Sequence, residues 1–487
     1  MGLLSQGNLP DEQAQTAAGT PYPEVSIPTV LRDSFVETFF TYCYWWCPVI
    51  DPELLTAPSA GAASPLLQYA LALCGTRIKP PLLPSCDSPD VYYERAKGLI
   101  YNHRQDNPLL LLASISLFNW WSVGAPNRVN IDGAWWWTGI AIRMAQQMGL
   151  HREPSPHQVF PPGETVGLRR RIWWTLFARD RILSISQGRP TMIDLDFCTV
   201  KMVTAGDFPD PTDPKVDIFI SWINLCEISG RISKELSRGE ETRMTKGILS
   251  HELRAWIKSV PKTISMPPLG DRISRSPFDR DVHRLHLTYL ANMTLLHLTP
   301  SSQSLPKASK TGMIAASCMA RLLEENLARG CIRFYSGEVG WEIAIGLLAL
   351  LCAKQFENLR RSAEADIRVM CTALDQMAFL WPSSRMFATV FHSLLTPDQP
   401  PPDRSQYPAE VSLPADDLVA VIDAGGIPPD ITDFIPFVTP QTSPLIGQIL
   451  SQDLTMPDFD FESPVGMHEA LLEFLPSLTD SVLFSYP

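Results

Sequence analysis

The side chains in this sequence best suited to chemistry fall into four small groups. His283 and His286 lie three residues apart, with His297 further along the same stretch. On a helix that spacing turns two imidazoles the same way, as one edge of a divalent-metal site requires. A metal site takes further ligands, however, and no H-E-x-x-H pattern accompanies the pair, so they read as satisfied or exposed histidines. Asp180 stands between Arg179 and Arg181 and has the form of an acid–base site. An ion pair within or between helices, setting helix register, accounts for it better. Arg169-Arg170-Arg171 could serve as a phosphate patch. Placed at a helix start, where the dipole disfavours cations, the run is expected to be a solvated face whose arginines pair with nearby acids. Ser274 and Ser276 sit beside arginines in Gly270–Asp279 and have the form of phosphorylation sites. A solvated loop between helices is the plainer reading.

Nucleophile and nucleotide motifs are missing. No G-x-S-x-G elbow, G-x-x-x-x-G-K-[ST] loop or G-x-G-x-x-G turn occurs in the 487 residues. Ten cysteines, among them Cys43, Cys47, Cys198 and Cys318, are scattered through mostly apolar stretches. They read as reduced, buried thiols of an intracellular protein. Accordingly no catalytic residue, no cofactor-binding residue and no metal ligand is assigned, and the chain is not expected to be an enzyme.

The elements around these groups are helical. Apolar residues recur at helical spacing from Arg32 through SFVETFFTYCYWWCPVI, and Pro48 ends the run. Ser64–Leu73 is a second apolar helix. Ser88-Pro89-Asp90 has the order of an N-cap, a first-turn proline and a first-turn acid, predicting a helix to Tyr101. Pro108 opens another, LLLLASISLFNWW, closed by Gly124 and Pro126. A central pair follows, Ile131–Leu150 and Glu164–Gln187. In the first, Ile131, Trp135, Thr138, Ile142 and Ala145 share a face that Trp136, Ile140 and Met144 widen, so the helix is predicted to be largely buried. In the second, Ile172, Leu176 and Arg179 line up. Trp136 and Trp174 are therefore expected in the core. After Gly188-Arg189-Pro190 the chain is irregular through Asp213. Further helices are predicted over Asp217–Ser237, Glu240–Ser259, Asp279–Leu298, Lys310–Arg329, Val339–Leu359 and Ala363–Leu380. Ile343–Leu351 is apolar on every side and belongs mid-core. Strand signals are nearly absent, and the fold class is all-α: a large multi-helix domain of packed helix pairs.

Charge separates the chain into parts. Charged residues make up 19% and the net charge is -12, the wrong sign for a protein that coats nucleic acid. Residues 401–487 hold 14 Asp/Glu against one basic residue, Arg404, so the body is near neutral and the tail is acidic. Residues 1–29 are rich in Pro, Gly, Gln, Thr and Ala, are expected to be disordered, and carry no Lys or Arg of a targeting leader. The longest apolar run, Ile343–Ala353, is far short of the roughly 20 residues that span a bilayer, so no membrane partner is expected. Beyond Pro397, short clusters such as ADDLVAVID, DITDFIPF and MPDFDFE interleave acids with apolar residues in a Pro-rich tract. That is the composition of disordered activation segments, in which acids keep residues such as Phe459, Phe461 and Phe474 solvated until a partner groove buries them. An ordinary tail, or one that docks back onto the domain, remains the alternative.

The stretch Ala134–Arg152, AWWWTGIAIRMAQQMGLHR, followed by LRRRIWWTLFARDR at Leu168–Arg181 and by Gly188-Arg189-Pro190, resembles the fungal-specific transcription factor domain. This is the middle homology region of fungal zinc binuclear cluster regulators. GRPTMID and the MVTAGDF at Met202–Phe208 look closest to its cutinase-transcription-factor-like branch. The resemblance runs from about Ser34 to Leu395 and implies an all-α, non-catalytic regulatory domain between a DNA-binding head and an activation tail. The family's DNA reader holds two zinc ions through six cysteines. Here no Cys precedes Cys43, and Cys43 and Cys47 lack C-x2-C-x6-C spacing. No zinc-cluster site is carried over, and direct DNA binding is in doubt.

The expected organisation is therefore a disordered segment 1–29, a helical regulatory domain 30–396 and an acidic Pro-rich tail 397–487. The expected role is that of a nuclear fungal transcription regulator of a metabolic or secondary-metabolite gene set. The tail is expected to engage the transcription machinery or a coactivator, and the chain to form a homo- or heterodimer with a DNA-binding regulator. The rival reading is a co-regulator that has no DNA-binding head and pairs with a full-length zinc-cluster factor or binds a small ligand; an upstream exon encoding C-x2-C-x6-C would instead restore direct DNA binding.

Overall fold

Helix starts follow the punctuation of the sequence. In this computed structural model, which describes residues 26–56, 64–102, 107–121, 130–238, 243–266, 278–299, 305–395 and 443–451, α1 spans Thr29–Tyr42 and α2 Pro65–Ile78. Then come α3 (Pro89–Tyr101), α4 (Pro108–Leu117), α5 (Ala134–Gln147), α6 (Val166–Gln187), α7 (Val216–Arg238) and α8 (Arg243–Ser259). The remainder are α9 (Arg280–Leu296), α10 (Lys310–Ala328), α11 (Val339–Lys354), α12 (Glu357–Ala378), α13 (Pro382–Leu395) and α14 (Pro444–Ser451). Proline occupies the first turn of α2, α3 and α4, where its missing N–H costs nothing. Ser64, Asn107, Thr165, Asp279 and Ser309 each accept a first-turn backbone N–H through the side chain, contacts of about 1 kcal/mol each. Ser88 holds the N-cap position of α3 with extended backbone, but its side chain makes no capping bond. Among the described residues, strand is confined to Leu298–Thr299 paired antiparallel with Lys307–Ala308. The all-α expectation holds.

Successive helices pack as neighbours, α1 on α2, α2 on α3 and α4, α5 on α6, α6 on α7, α10 on α9, α11 and α12, and α11 on α9 and α12. One continuous hydrophobic core runs from Ile27 to Ile449. In its middle lies α11, of which every residue from Val339 to Ala353 is buried, as its all-round apolar sequence requires. The expected helices Val339–Leu359 and Ala363–Leu380 are instead divided at Gln355–Phe356. Phe356 takes an extended backbone and buries its ring, and α12 starts at Glu357. The ten cysteines are free thiols, seven of them buried.

Two expectations about burial need correction. Ile131 is 57% and Trp136 42% exposed, while Trp137 is 2% exposed. The buried face of α5 is Trp137, Thr138, Ala141, Ile142 and Ala145. The three consecutive tryptophans span most of a turn, and the sequence reading centred the face one residue early. Second, the tail has a docked element: α14, inside 397–487, buries Leu445, Ile446 and Ile449 against α10 and α12. Nearly all of 1–29, Gly124, Pro126, Ser274, Ser276, Phe459, Phe461 and Phe474 lie outside the described residues.

Candidate functional site

The first turn of α6 is a node of ion pairs. Arg169 pairs with Glu164 and donates to the Met148 carbonyl at 2.9 Å. Arg170 pairs with Glu153 and, at 2.8 Å, with Asp207. Arg171, 1% exposed, pairs with Asp51 and donates to the Tyr44 hydroxyl at 2.9 Å. The acids expected beside this run are there, but the solvated face is not: Arg169 and Arg171 are buried. Their partners come from up to 127 residues away, so these guanidinium forks staple two loops and the N-terminal region to α6 and outweigh an unfavourable helix dipole.

At the other end of α6, Gly188 adopts the left-handed conformation (φ 60°) that ends the helix. The returning chain is then clamped by Asp180. Its carboxylate accepts the backbone N–H groups of Met192 and Ile193, each at 3.0 Å, and pairs with Arg181 at 2.7 Å. Arg181 in turn donates to the Ile193 carbonyl at 2.7 Å and lies against Gly230 of α7, where an added Cβ would stand 2.4 Å from Arg181 Cδ. Burial raises the Asp180 pKa, and the backbone donors and Arg181 oppose the shift. Asp180 thus fixes the Gly-Arg-Pro turn to α6. The expected intrahelical ion pair is present, with Arg181 and not Arg179 as its arginine.

The histidines are separated in function. His283 Nδ1 lies 2.8 Å from the Asp279 carbonyl and Nε2 2.9 Å from Glu325. His286 Nδ1 lies 2.9 Å from the Val282 carbonyl, and burial lowers its pKa to about 4. His297 meets Ser309 at 3.1 Å and is likewise lowered to about 4 by burial. No group of three His, Cys, Asp or Glu among the described residues is placed to hold a metal ion. Burial raises the thiols of Cys43 and Cys47, the latter to about 12, far from the thiolate form that nucleophilic or metal chemistry needs.

A small cavity lies where the central pair meets its neighbours. Its free space is about 20 Å³, and it is lined by Trp46, Asn119, Trp137, Arg179 and Trp222 together with small side chains of α4, α5 and α6. Its aromatic walls are partly pinned. Trp137 donates to the Tyr93 hydroxyl at 2.9 Å, and Tyr93 donates to Asp132 at 2.7 Å. Lys97 closes the chain on Asp132 at 2.7 Å. Trp46 donates to Asp281 at 3.2 Å and meets Trp222 edge to face at 5.4 Å. Other polar groups of the lining are unsatisfied: Asn119 Oδ1 and Trp222 Nε1 are buried without a hydrogen-bond partner. Behind Trp46, Arg284 pairs with Glu342 at 2.7 Å and Glu338 at 3.3 Å. Burial raises Glu342 against the pull of Arg284. In Glu338 burial is outweighed by Arg284 and Arg179, and its pKa is lowered. A sequence signal for the cavity existed: Arg179 falls in line with Ile172 and Leu176, a cation on an apolar stripe. The contributions of Trp46, Asn119 and Trp222 come from distant elements and carried none.

The model of the fungal specific transcription factor domain matches residues 36–257, a little under half of the chain. The chain is similar to cutinase transcription factor 1 alpha of Fusarium vanettenii, 26% identical over 76% of this chain and 43% of that protein. It is also similar to the acetamidase regulatory protein of Emericella nidulans, 28% identical over 55% of this chain and 34% of that protein. A third relative is the ABC-transporter-regulating transcription factor of Aspergillus fumigatus, 26% identical over 42% of this chain and 24% of that protein. The chain spans less than half the length of the curated relatives it matches. No solved structure matches it at a significant level. Among the described residues no helix is long and apolar enough to cross a membrane.

Proposed function

We propose that this chain is a non-catalytic regulator of transcription that acts in the nucleus of a fungus on a metabolic or secondary-metabolite gene set. The observation that carries the reading is the family match over residues 36–257, placed on relatives that are themselves transcription regulators. In this reading residues 30–396 form the regulatory body and 397–487 the acidic tail that engages the transcription machinery or a coactivator. The test uses the whole chain fused to an unrelated DNA-binding module upstream of a reporter. Transcription is expected to rise, and to fall when Phe459, Phe461 and Phe474 are replaced by Ala. An intact fusion that leaves the reporter at background would remove the activation part of the proposal.

A second reading, in which the chain works with a DNA-binding partner as a homo- or heterodimer, is favoured by the cysteines. Cys43, Cys47 and five others are buried in the helical core, with no cluster spacing. Co-purification of a zinc-cluster regulator with the chain from fungal nuclei supports this reading. Sequence-specific retention of the isolated chain on promoter DNA contradicts it.

A further inference from the structure

We propose that Ser443 is a phosphorylation site for a proline-directed kinase, and that its phosphate bars α14 from its seat on α10 and α12. The site rests on the contacts of α14 alone and is independent of the role given to the tail above.

Ser443 precedes Pro444, the first residue of α14, and is 0% exposed. Its Oγ accepts the Ile446 N–H at 3.3 Å and so caps the helix. The same Oγ lies 2.8 Å from Ser317 Oγ of α10, and Ser317 donates to Asp366 of α12 at 2.6 Å. A hydroxyl has one proton to donate. Ser317 commits its own to Asp366, so Ser443 is the donor between the two serines. Asp366, 1% exposed, also pairs with Arg321, which pairs in turn with Glu324 at 3.0 Å. A buried relay from Ser443 through Ser317 to Asp366 thus ties the start of α14 to the two helices on which Leu445, Ile446 and Ile449 rest.

Among the described residues Ser-Pro also occurs at Ser64, Ser88 and Ser155. Ser88 and Ser155 are exposed, so a phosphate there displaces no packing. Ser64 is buried, but it opens α2, 14 residues packed against α1, α3 and α4. The α14 helix has 8 residues and buries three apolar side chains. A helix that short is not stable alone in water. On release Ser443 therefore returns to extended chain, which Pro444 favours and which a kinase cleft accepts.

In the released segment the Ser443 oxygen attacks the γ-phosphorus of ATP. A P–O bond forms at Oγ, the bond to the bridging oxygen breaks, ADP leaves, and the hydroxyl proton passes to the kinase's base. The product has lost the proton that Ser443 donates to Ser317. It carries a charge of about −1.5 to −2 and three acceptor oxygens. Redocking would bury that charge beside Asp366, facing a Ser317 whose proton is already committed. Arg321 offers little relief, because Asp366 and Glu324 share it. A phosphate at the N-cap does favour α14 as a helix, but that gain is smaller than the cost of burying an unpaired anion. The segment stays released until a phosphatase hydrolyses the ester.

The test incubates the purified full chain with a recombinant mitogen-activated protein kinase, ATP and Mg2+, and follows each site by peptide mass spectrometry. Phosphate is expected at Ser443. Ile449→Asp, well beyond the Ser-Pro pair that the kinase recognises, undocks α14. It should raise the Ser443 rate by about tenfold or more, the population effect of losing one buried isoleucine, and leave the rate at exposed Ser155 unchanged. In the wild-type chain phosphorylation should speed subtilisin cleavage within Ser443–Ser451, and phosphatase treatment should reverse it. Ser443→Ala, treated alike, should show no change in cleavage. No Ser443 phosphate in either chain, equal Ser443 rates in the two, or unaltered cleavage of the phosphorylated wild type would overturn the proposal. The cleavage measurement on the wild type decides the matter should Ile449→Asp fail to fold.

Discussion

Replacing Trp137 by Ala should destabilise the domain severely, and replacing its neighbour Trp136 by Ala should scarcely affect it. Trp137 is 2% exposed and packs edge to face on Phe118, with ring centroids 5.0 Å apart. It also donates to Tyr93 at 2.9 Å. Truncating a buried aromatic of this kind costs about 3–5 kcal/mol, because the removed ring leaves a void that close-packed neighbours fill only in part. The Tyr93 hydroxyl keeps its bond to Asp132, so no unsatisfied buried hydroxyl adds to that cost. Trp136, 42% exposed, loses surface contact only, within about 1 kcal/mol.

Urea unfolding followed by far-ultraviolet circular dichroism at 222 nm separates the two, because the helical signal reports the body and not one indole. With unfolding entropy of about 2.1 cal/mol/K per residue over roughly 370 residues, a loss of about 3 kcal/mol lowers the thermal midpoint by only about 4 °C. Denaturant midpoints, with an unchanged slope, are therefore the better measure. Equal losses from the two substitutions, or a larger loss from Trp136→Ala, would refute the helix register on which the buried face of α5 and the cavity wall depend.

Three further predictions follow from other parts of the body. Asp180→Ala leaves two backbone N–H groups and Arg181 without their acceptor and should cost about 3–5 kcal/mol, read by denaturant unfolding; a loss under about 1 kcal/mol refutes the clamp. His286 titrates at about 4 when folded and near 6.5 when unfolded, so the unfolded chain binds the proton first. Its contribution to stability is present above about pH 6.5 and is lost as pH falls toward 4, by on the order of 3 kcal/mol. His286→Leu should flatten the stability profile in that window, and an unaltered profile contradicts the assignment. For α14, Ser443 donates to or accepts from Ser317 at 2.8 Å and Ser317 donates to Asp366 at 2.6 Å. Ile446→Asp should release the segment from α10 and α12, so that limited proteolysis cuts near Ser443–Ser451 sooner while the body melts unchanged; identical cleavage rates count against docking.

How much of this was legible in the sequence depends on the distance over which each feature is determined. Helix starts are local: a proline in the first turn with Ser64 or Asn107 before it fixes the backbone within four residues, and α2 and α4 begin where those residues place them. Helix faces are less local. Trp135, Trp136 and Trp137 are equally apolar, and only Tyr93 and Phe118, some 20 to 45 residues earlier in the chain, decide that Trp137 turns inward. Ion pairs are the least local of all. Arg171 finds Asp51 and Arg284 finds Glu342 across the fold, and spacing along the chain carries no trace of either. The same argument explains why Arg179 and Asp180 could not be told apart as ion-pair partners from their adjacency. Neighbours on a helix point about 100° apart, so Asp180 faces the returning chain at Met192 while Arg179 faces the aromatic cavity. Arg179 shares a stripe with Ile172 and Leu176 and meets Glu338 through space, whereas the other arginines of that helix form ion pairs.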